Sequence, residues 1–319
     1  MKTIAKRFIS ISTLTAISSF VFADIPKELS LDYAYYAPTS LVVRDQKLLE
    51  KALPKTQIKW VFSQGSNRSL EYLNSGSVDF ASTAGLAAVL SRANGSPIKT
   101  VYVQSQPEWT ALVVNKTSPI KSLKDLKGKK IAATKGTDPF LFTLQALETA
   151  GLNKRDVQLV HLQHPDGKTA LERGQVDAWA GLDPLMASAQ VQSGAKLLYR
   201  NVKFNSYSVL SIKEKFAQQS PEAVDAVIKA YEQARKWAKA NPEKLAELLA
   251  RESKLPLDVA KLQLSRTNFE QNIPSKQHIT ALKNSANILV DEELVRKGTN
   301  VTTVVDQLFD AKYAQKAVK

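Results

Sequence analysis

The chain has 319 residues, 44% hydrophobic and 23% charged, enough for two α/β domains with ample core. It contains no cysteine, which excludes disulfides, thiolate metal sites, a cysteine nucleophile and a lipid-modified N-terminal cysteine. The formal charge is +14, yet the basic residues are spread thinly, with no block interleaved with aromatics and no zinc or helix-turn-helix signature. Nucleic acid is therefore set aside as a partner, and a positive field around an anion-binding cleft is the expectation.

Residues 1–23 read as a signal peptide. Lys2, Lys6 and Arg7 form the positive region, residues 8–21 the apolar one, and Val21-Phe22-Ala23 a cleavage site before Asp24. The segment is short and rich in Ser and Thr for a membrane anchor, and no later stretch is apolar for long enough to span a bilayer. The expectation is an exported chain, cleaved after Ala23, in the periplasm of a double-membraned bacterium.

Residues 29–35 alternate apolar and polar, as a strand does, and Ala37-Pro38-Thr39-Ser40 opens a helix through Leu41, Val42, Leu48 and Leu49. Residues 58–62 form the second predicted strand. Its loop Gly65-Ser66-Asn67 offers Ser66 or Asn67 as cap for a helix carrying Leu70 and Leu73. A third strand, 78–81, leads through Ser82-Thr83-Ala84-Gly85 into a helix over 86–93, closed by Asn94-Gly95. Residues 100–104 are a fourth strand. Repeated strand ends with small hydroxyl or amide caps place helix N-termini together at the carboxyl edge of an open sheet, where α/β folds bind ligands.

Beyond Trp109 the pattern predicts a strand at 111–115 and a short helix at 122–127. The stretch from Lys129 to Gly151 follows, reading strand, tight loop, helix. Ile131, Ala132 and Ala133 suit a buried parallel strand. Thr137 or Asp138 can cap the helix, and Pro139 suits its first position because the missing N–H would be unpaired there. Phe140, Leu144 and Leu147 share a face, and Gly151 is placed to end the helix. Gly136 lets other atoms approach the backbone at a helix N-terminus, which is an anion site by construction; the alternative is an ordinary βα turn. Further strands are expected at 157–162 and 176–180, with helices at 166–173 and from Asp183 to Gly194.

An internal echo points to two related lobes. Leu73-Asn74-Ser75-Gly76-Ser77-Val78-Asp79 and Leu171-Glu172-Arg173-Gly174-Gln175-Val176-Asp177 share the pattern L-x-x-G-x-V-D. From Ser211 the chain reads as helical. Ser220-Pro221-Glu222 is a start signal, and Val224, Val227, Ile228, Tyr231, Ala234 and Ala238 share a face. Such a tail packs back on the first lobe.

Catalytic constellations are scarce. The histidines are His161, His164 and His278, and the i, i+3 spacing of the first two does not suit one face of a strand. A metal pair is set aside, and His164 reads as lining a pocket. There is no GxSxG, P-loop, GxGxxG or HExxH. Asp183 has no evident catalytic partner and suits a helix cap or a ligand's donor group. Trp109 and Trp179 are candidates for a pocket wall, with plain core as the alternative.

Several segments resemble periplasmic binding proteins of ABC transporters for aliphatic sulfonates. They are Asp32-Tyr33-Ala34-Tyr35-Tyr36-Ala37-Pro38, Ser82-Thr83-Ala84-Gly85, residues 92–100, Ser105-Gln106-Pro107-Glu108-Trp109, residues 127–137, Leu162-Gln163-His164 and residues 177–184. The likeness runs from about Leu31 to Lys215; the C-terminal helices match in kind. One departure is Gly85-Leu86-Ala87-Ala88, where many relatives carry an acidic residue and prolines. The resemblance implies an α/β, two-lobed periplasmic binding protein fold (type II). Each lobe is a mixed, mostly parallel sheet flanked by helices, and the helical tail lies on lobe 1. Lobe 1 is expected from 24–110 and 208–319, and lobe 2 from 111–207. It implies a monomeric, non-enzymatic receptor without cofactor or metal. Its partners are a small anionic ligand and an inner-membrane permease, which is its sole link to the membrane. The sulfonate is placed near Ser66, Asn67, Thr83, Gly136 and Thr137, with Asp138 capping its helix rather than facing the anion. The organic tail is placed against Tyr36, Trp109 and Trp179, and Asp183 could take a ligand amine. Receptors for nitrate, bicarbonate or a pyrimidine precursor, and an enzyme on the same fold, are the alternatives.

Overall fold

The structure, a computed structural model, describes residues 25–318. The signal-peptide expectation for 1–23 lies outside the described residues. In chain order the strands are β1 (Glu28–Tyr33), β2 (Gln57–Phe62), β3 (Phe80–Ala84), β4 (Ile98–Pro107), β5 (Leu112–Val114) and β6 (Lys130–Ala133). They continue with β7 (Gln158–His161), β8 (Ala178–Ala180), β9 (Lys196–Tyr199), β10 (Ser208–Lys213) and β11 (Thr267–Asn268).

These strands form two sheets, in the orders β11-β4-β10-β3-β1-β2 and β7-β6-β8-β5-β9. In the first, β1 runs parallel to β2 and β3, and β10 lies antiparallel between β3 and β4. In the second, β6 runs parallel to β7 and β8, and β5 lies antiparallel between β8 and β9. Apart from β11, which extends the edge of the first sheet, the two plans are the same. Parallel neighbours need crossover helices, and Ser66–Ser75 and His164–Glu172 serve that purpose between β2 and β3 and between β7 and β8. Each sheet takes its antiparallel strand across the boundary: β5 follows directly from the first sheet, and β10 returns after the second. The fold is thus α/β and two-lobed, joined by two crossover segments.

The sequence echo has a structural basis. Gly76 (φ +82°) and Gly174 (φ +68°) follow helix ends in the left-handed conformation that glycine adopts without penalty. The Asp79 N–H donates to Ser30 O at 2.7 Å, and Ser30 N–H donates to Asp79 Oδ2 at 2.9 Å. The Asp177 N–H donates to Lys130 O at 2.9 Å, and Lys130 N–H donates to Asp177 Oδ2 at 2.8 Å. Each aspartate grips both backbone groups of one residue on the neighbouring strand, which fixes the register of the central pair.

Two expectations change. Residues from Ser211 continue β10 as far as Lys213, and the helix begins at Glu214. β10 is buried on both faces through Ile212, so it lacks the alternation that marks a half-exposed strand. β9, a short strand from Lys196, carries no strong pattern and has no counterpart among the expected strands. Helix Pro221–Ala240 buries Val224, Val227, Ile228, Tyr231, Ala234 and Ala238, the predicted face, in one apolar cluster with Leu41, Val101 and Leu210. Full burial of a side chain such as Val227 contributes about 1.5–3 kcal/mol. The tail lies mainly on the first lobe, but helix Leu257–Leu264 also packs against helix Leu185–Ser193 of the second.

Candidate functional site

Three helix starts meet between the lobes. A methyl group built on Gly65, just before helix Ser66–Ser75, would lie 2.7 Å from Nε2 of His164, the first residue of helix His164–Glu172. Gly136 (φ +79°), before helix Asp138–Thr149, faces the same junction, its hypothetical Cβ 3.7 Å from Asn67 Cβ. The first N–H groups of a helix have no intrahelical partner and carry the positive end of its dipole, so this junction favours an anion. Asn67 Nδ2 also donates across the lobes to Gln163 Oε1 at 3.4 Å.

His164 is fully buried, which pushes its imidazole down to about 3. The Thr134 hydroxyl donates to Leu162 O at 2.7 Å, so it accepts from His164 Nδ1 at 3.1 Å. This network assigns the proton to Nδ1 and leaves Nε2 as a lone pair. Nε2 and Asn67 Oδ1 are both buried without a protein partner. They flank Gly65 as two acceptors that a donor group or water would satisfy.

A cavity of about 220 Å³ adjoins this junction through Ser63, Gln64 and Pro165. Tyr35, Phe62, Leu182, Leu185 and Leu255 make its walls mainly apolar, and none of its lining residues is Lys or Arg. Tyr36 and Ser63 also line it, but their protons point into the first lobe. The Tyr36 hydroxyl donates to Ser82 O at 2.8 Å, and the Ser63 hydroxyl donates to Asp32 Oδ2 at 2.7 Å. Burial holds the Tyr36 phenol well above its ordinary range.

The other expected site residues separate into distinct roles. Ser66 Oγ accepts from Ala84 N–H at 2.9 Å, tying the helix start to the end of β3. Thr83 does not reach the junction; its hydroxyl meets Ser211 Oγ at 3.1 Å inside the first sheet. The Thr137 hydroxyl donates to Thr134 O at 2.6 Å within its own loop. Trp109 is not among the cavity walls, and its Nε1–H donates to Asp138 Oδ2 at 3.2 Å. Asp138 does not cap its helix. It is the first helical residue, and its carboxylate accepts from Ser206 N–H at 2.8 Å and from the Ser206 hydroxyl. Trp179 is in the core of the second lobe, packed on Gly167. These groups lie at buried strand ends, where a polar atom must find a protein partner.

Asp183 is buried at the cavity, and its Oδ1 accepts from Ala187 N–H at 2.9 Å, so it does cap a helix. Arg266 from the C-terminal helical region approaches it, with Nη1 3.3 Å from Oδ2, and also reaches Gln190. Burial pushes the Asp183 carboxyl up to about 6 even though Arg266 opposes the shift.

Residues 57–245 match the family model described as NMT1/THI5 like. The chain belongs to that family. Among solved structures, this NMT1/THI5-like protein is similar to the alkanesulfonate-binding protein SsuA from Xanthomonas axonopodis pv. citri bound to MOPS. The identity there is 26%, the TM-score 0.82, and the match covers 88% of this chain and 98% of that one. It is also similar to the periplasmic aliphatic sulphonate binding protein SsuA from Escherichia coli, at 28% identity and TM-score 0.75, over 89% of this chain and 92% of that one. The periplasmic nitrate-binding protein NrtA from Synechocystis PCC 6803 shares the fold, at 11% identity and TM-score 0.75, over 92% of this chain and 88% of that one. The NMT1/THI5-like protein is accordingly a two-lobed solute-binding protein.

Sequence reasoning missed Arg266. It lies 83 positions from Asp183 in a region that reads only as helical, and no local pattern announces the contact. Among the described residues no helix is long and apolar enough to cross a membrane.

Proposed function

We propose that this chain is the receptor of an ABC import system, capturing aliphatic sulfonates in the periplasm and delivering them to an inner-membrane permease as a sulfur source. The observation that carries the reading is an apolar cavity that adjoins, through Ser63, Gln64 and Pro165, the junction where three helix starts meet. A sulfonate is ionised at any physiological pH and has three acceptor oxygens, which suit clustered N–H groups, while its tail suits Tyr35, Phe62 and Leu255. The kinship with alkanesulfonate-binding proteins supports the same assignment. In this reading the anion sits near Ser66, Asn67, Gly136 and Thr137, and the lobes divide as 24–110 with 208–319 and 111–207.

The Asp183–Arg266 pair refines the ligand class. Asp183 is the carboxylate on the cavity wall, and Arg266 already neutralises it. A tail bearing an amine would have to displace the guanidinium, so the preferred ligand has an uncharged tail. A nitrate receptor is disfavoured because a small anion without an apolar tail gains nothing from apolar walls. Calorimetric titration with hexane-1-sulfonate, taurine and nitrate tests this. The expected order of affinity is hexane-1-sulfonate, then taurine, with nitrate weakest, each bound without turnover. Tighter binding of nitrate than of hexane-1-sulfonate overturns the assignment.

A further inference from the structure

The residues that connect the lobes carry one carboxylate that the ligand site does not use. Asp138 is 2% exposed and is not a wall of the cavity. Its oxygens receive donors from both crossover segments: Trp109 Nε1–H at 3.2 Å from the first, and Ser206 N–H at 2.8 Å with the Ser206 hydroxyl at 2.7 Å from the second. An ionised carboxylate is acceptor-only and suits such a set, and at the first position of a helix it also meets the positive dipole end.

Around it the two crossovers are sewn together and to the second lobe. Asn205 Oδ1 accepts from Thr110 N–H at 2.8 Å. Asp183 N–H donates to Trp109 O at 2.9 Å, and Gly181 N–H to Ala111 O at 2.9 Å. Beside the clasp, two backbone donors link the second crossover to the first lobe. Leu86 N–H donates to Ser206 Oγ at 3.2 Å, and Gly85 N–H donates to Tyr207 O at 2.9 Å. The Ser206 hydroxyl therefore gives its one proton to Asp138 and accepts from the start of helix Gly85–Ala93. It joins a helix N-terminus of one lobe to a helix N-terminus of the other.

We propose that Asp138 is a positioning residue that fastens both crossovers to the second lobe, so that the lobes hinge on the first-lobe side of Trp109 and Ser206 and the Ser206–Leu86 contact holds the closed form. Bending is then confined to Glu108 and Tyr207, between the ends of β4 and β10 and the clasp. This rests on the reading of the molecule as a receptor that closes on its solute, and it requires no contact between Asp138 and that solute.

The test compares the wild-type protein with Asp138→Asn, Ser206→Ala and Ser206→Thr, each first shown by circular dichroism to be folded. All three donors reach Asp138 Oδ2, and the Ser206 hydroxyl also lies 2.9 Å from Oδ1. Asp138→Asn therefore replaces a charged acceptor by a neutral one and sets an NH2 group against the Ser206 hydroxyl, whereas Ser206→Thr keeps both the hydroxyl and the N–H. In the absence of ligand, X-ray scattering should show a larger radius of gyration for Asp138→Asn and Ser206→Ala than for wild type and Ser206→Thr. The Trp109 indole proton should move upfield in Asp138→Asn alone. With hexane-1-sulfonate as probe, both loosening variants should lose at least fivefold in affinity, mainly through faster dissociation. Unchanged scattering together with affinity within twofold overturns the clasp. If Asp138→Asn does not fold, Ser206→Ala decides by the same measurements. If wild type binds no sulfonate, the functional reading fails while the scattering comparison still decides the hinge.

Discussion

The shared aspartates of the two lobes allow a position-by-position comparison. With Asp79 matched to Asp177, Asp32 corresponds to Ala132, Ser69 to Gly167, Ser82 to Ala180 and Ala81 to Trp179. In the first lobe Asp32 is fully buried and accepts from Ser63 Oγ at 2.7 Å, Ser69 Oγ at 2.5 Å and Ser82 N–H at 2.6 Å. In the second lobe the same space is apolar, and the Trp179 indole fills it against Gly167 and Ala132. One scaffold therefore has two interiors. The polar one holds Ser63 and Tyr36 in fixed orientations on the cavity wall; the apolar one supplies a rigid backing for the facing lobe. The first should fail through charge and hydrogen bonding, the second through volume.

The largest expected effect breaks the apolar interior. A methyl group at Gly167 would lie 2.7 Å from both Cδ1 and Nε1 of Trp179. Because the indole is fully buried, Gly167→Ala should cost about 3 kcal/mol, measured by chemical denaturation. A cost below about 1 kcal/mol would show that the indole has room to move.

Next comes the titration of each lobe's buried group, beginning with the second. His164 has a folded value of about 3 against its ordinary 6.5, because burial disfavours the cation. Its contribution to stability is complete above the ordinary value and is lost as pH falls towards the folded one. From about pH 7 to about pH 5, wild type should lose about 2 kcal/mol relative to His164→Asn. Parallel pH profiles of the two proteins would expose the mistake if their difference stays constant.

A cross-lobe effect on affinity follows. Gly136→Val adds bulk beside Asn67 and places a branched residue at φ +79°. It should weaken sulfonate binding at least tenfold, about 1.4 kcal/mol. Lys135→Ala should lose less, since Lys135 is exposed and an exposed ion pair is worth about 0–1 kcal/mol. Calorimetry of both variants ranks them, and the reverse order would move the anion to other groups.

The smallest effect sharpens the contrast. Burial raises the Asp32 carboxyl to about 6 from its ordinary 3.8. A group raised in this way contributes stability that is full below the ordinary value and lost as pH rises through the folded one. From about pH 7 to about pH 5, wild type should therefore gain about 1 kcal/mol relative to Asp32→Asn. This sign is opposite to that for His164, and the same pH series of denaturation curves measures both.

Much of the fold is legible in the sequence. Apolar runs such as Ile131-Ala132-Ala133 mark parallel strands, Gly76 and Gly174 mark helix ends, and the L-x-x-G-x-V-D echo marks the repeated plan because each of its residues has a local task. β10 is less legible, since a strand buried on both faces loses its alternation. The site is harder still. Ser66, Thr83 and Thr137 carry the groups that an anion site uses, yet their hydroxyls bond to Ala84, Ser211 and Thr134. Residue type does not tell whether a buried hydroxyl serves a ligand or the backbone beside it. Asp138 and Arg266 depend on partners far along the chain, and only the folded topology brings these together.

The exchange of antiparallel strands also sets an order of assembly. Strands β5 to β9 lie within one continuous run of the chain, so the second sheet has all its strands once Tyr199 has been synthesised. The first sheet must wait for β10, which enters between β3 and β4 more than a hundred residues after β4 begins. Until then β3 and β4 face an empty slot with unpaired backbone groups, a template for wrong pairing. A long closure must be made before the contacts that reward it, and such closures are slow. During synthesis, therefore, the second lobe should become protease-resistant first, while the first lobe depends on a strand that arrives after its neighbour is complete.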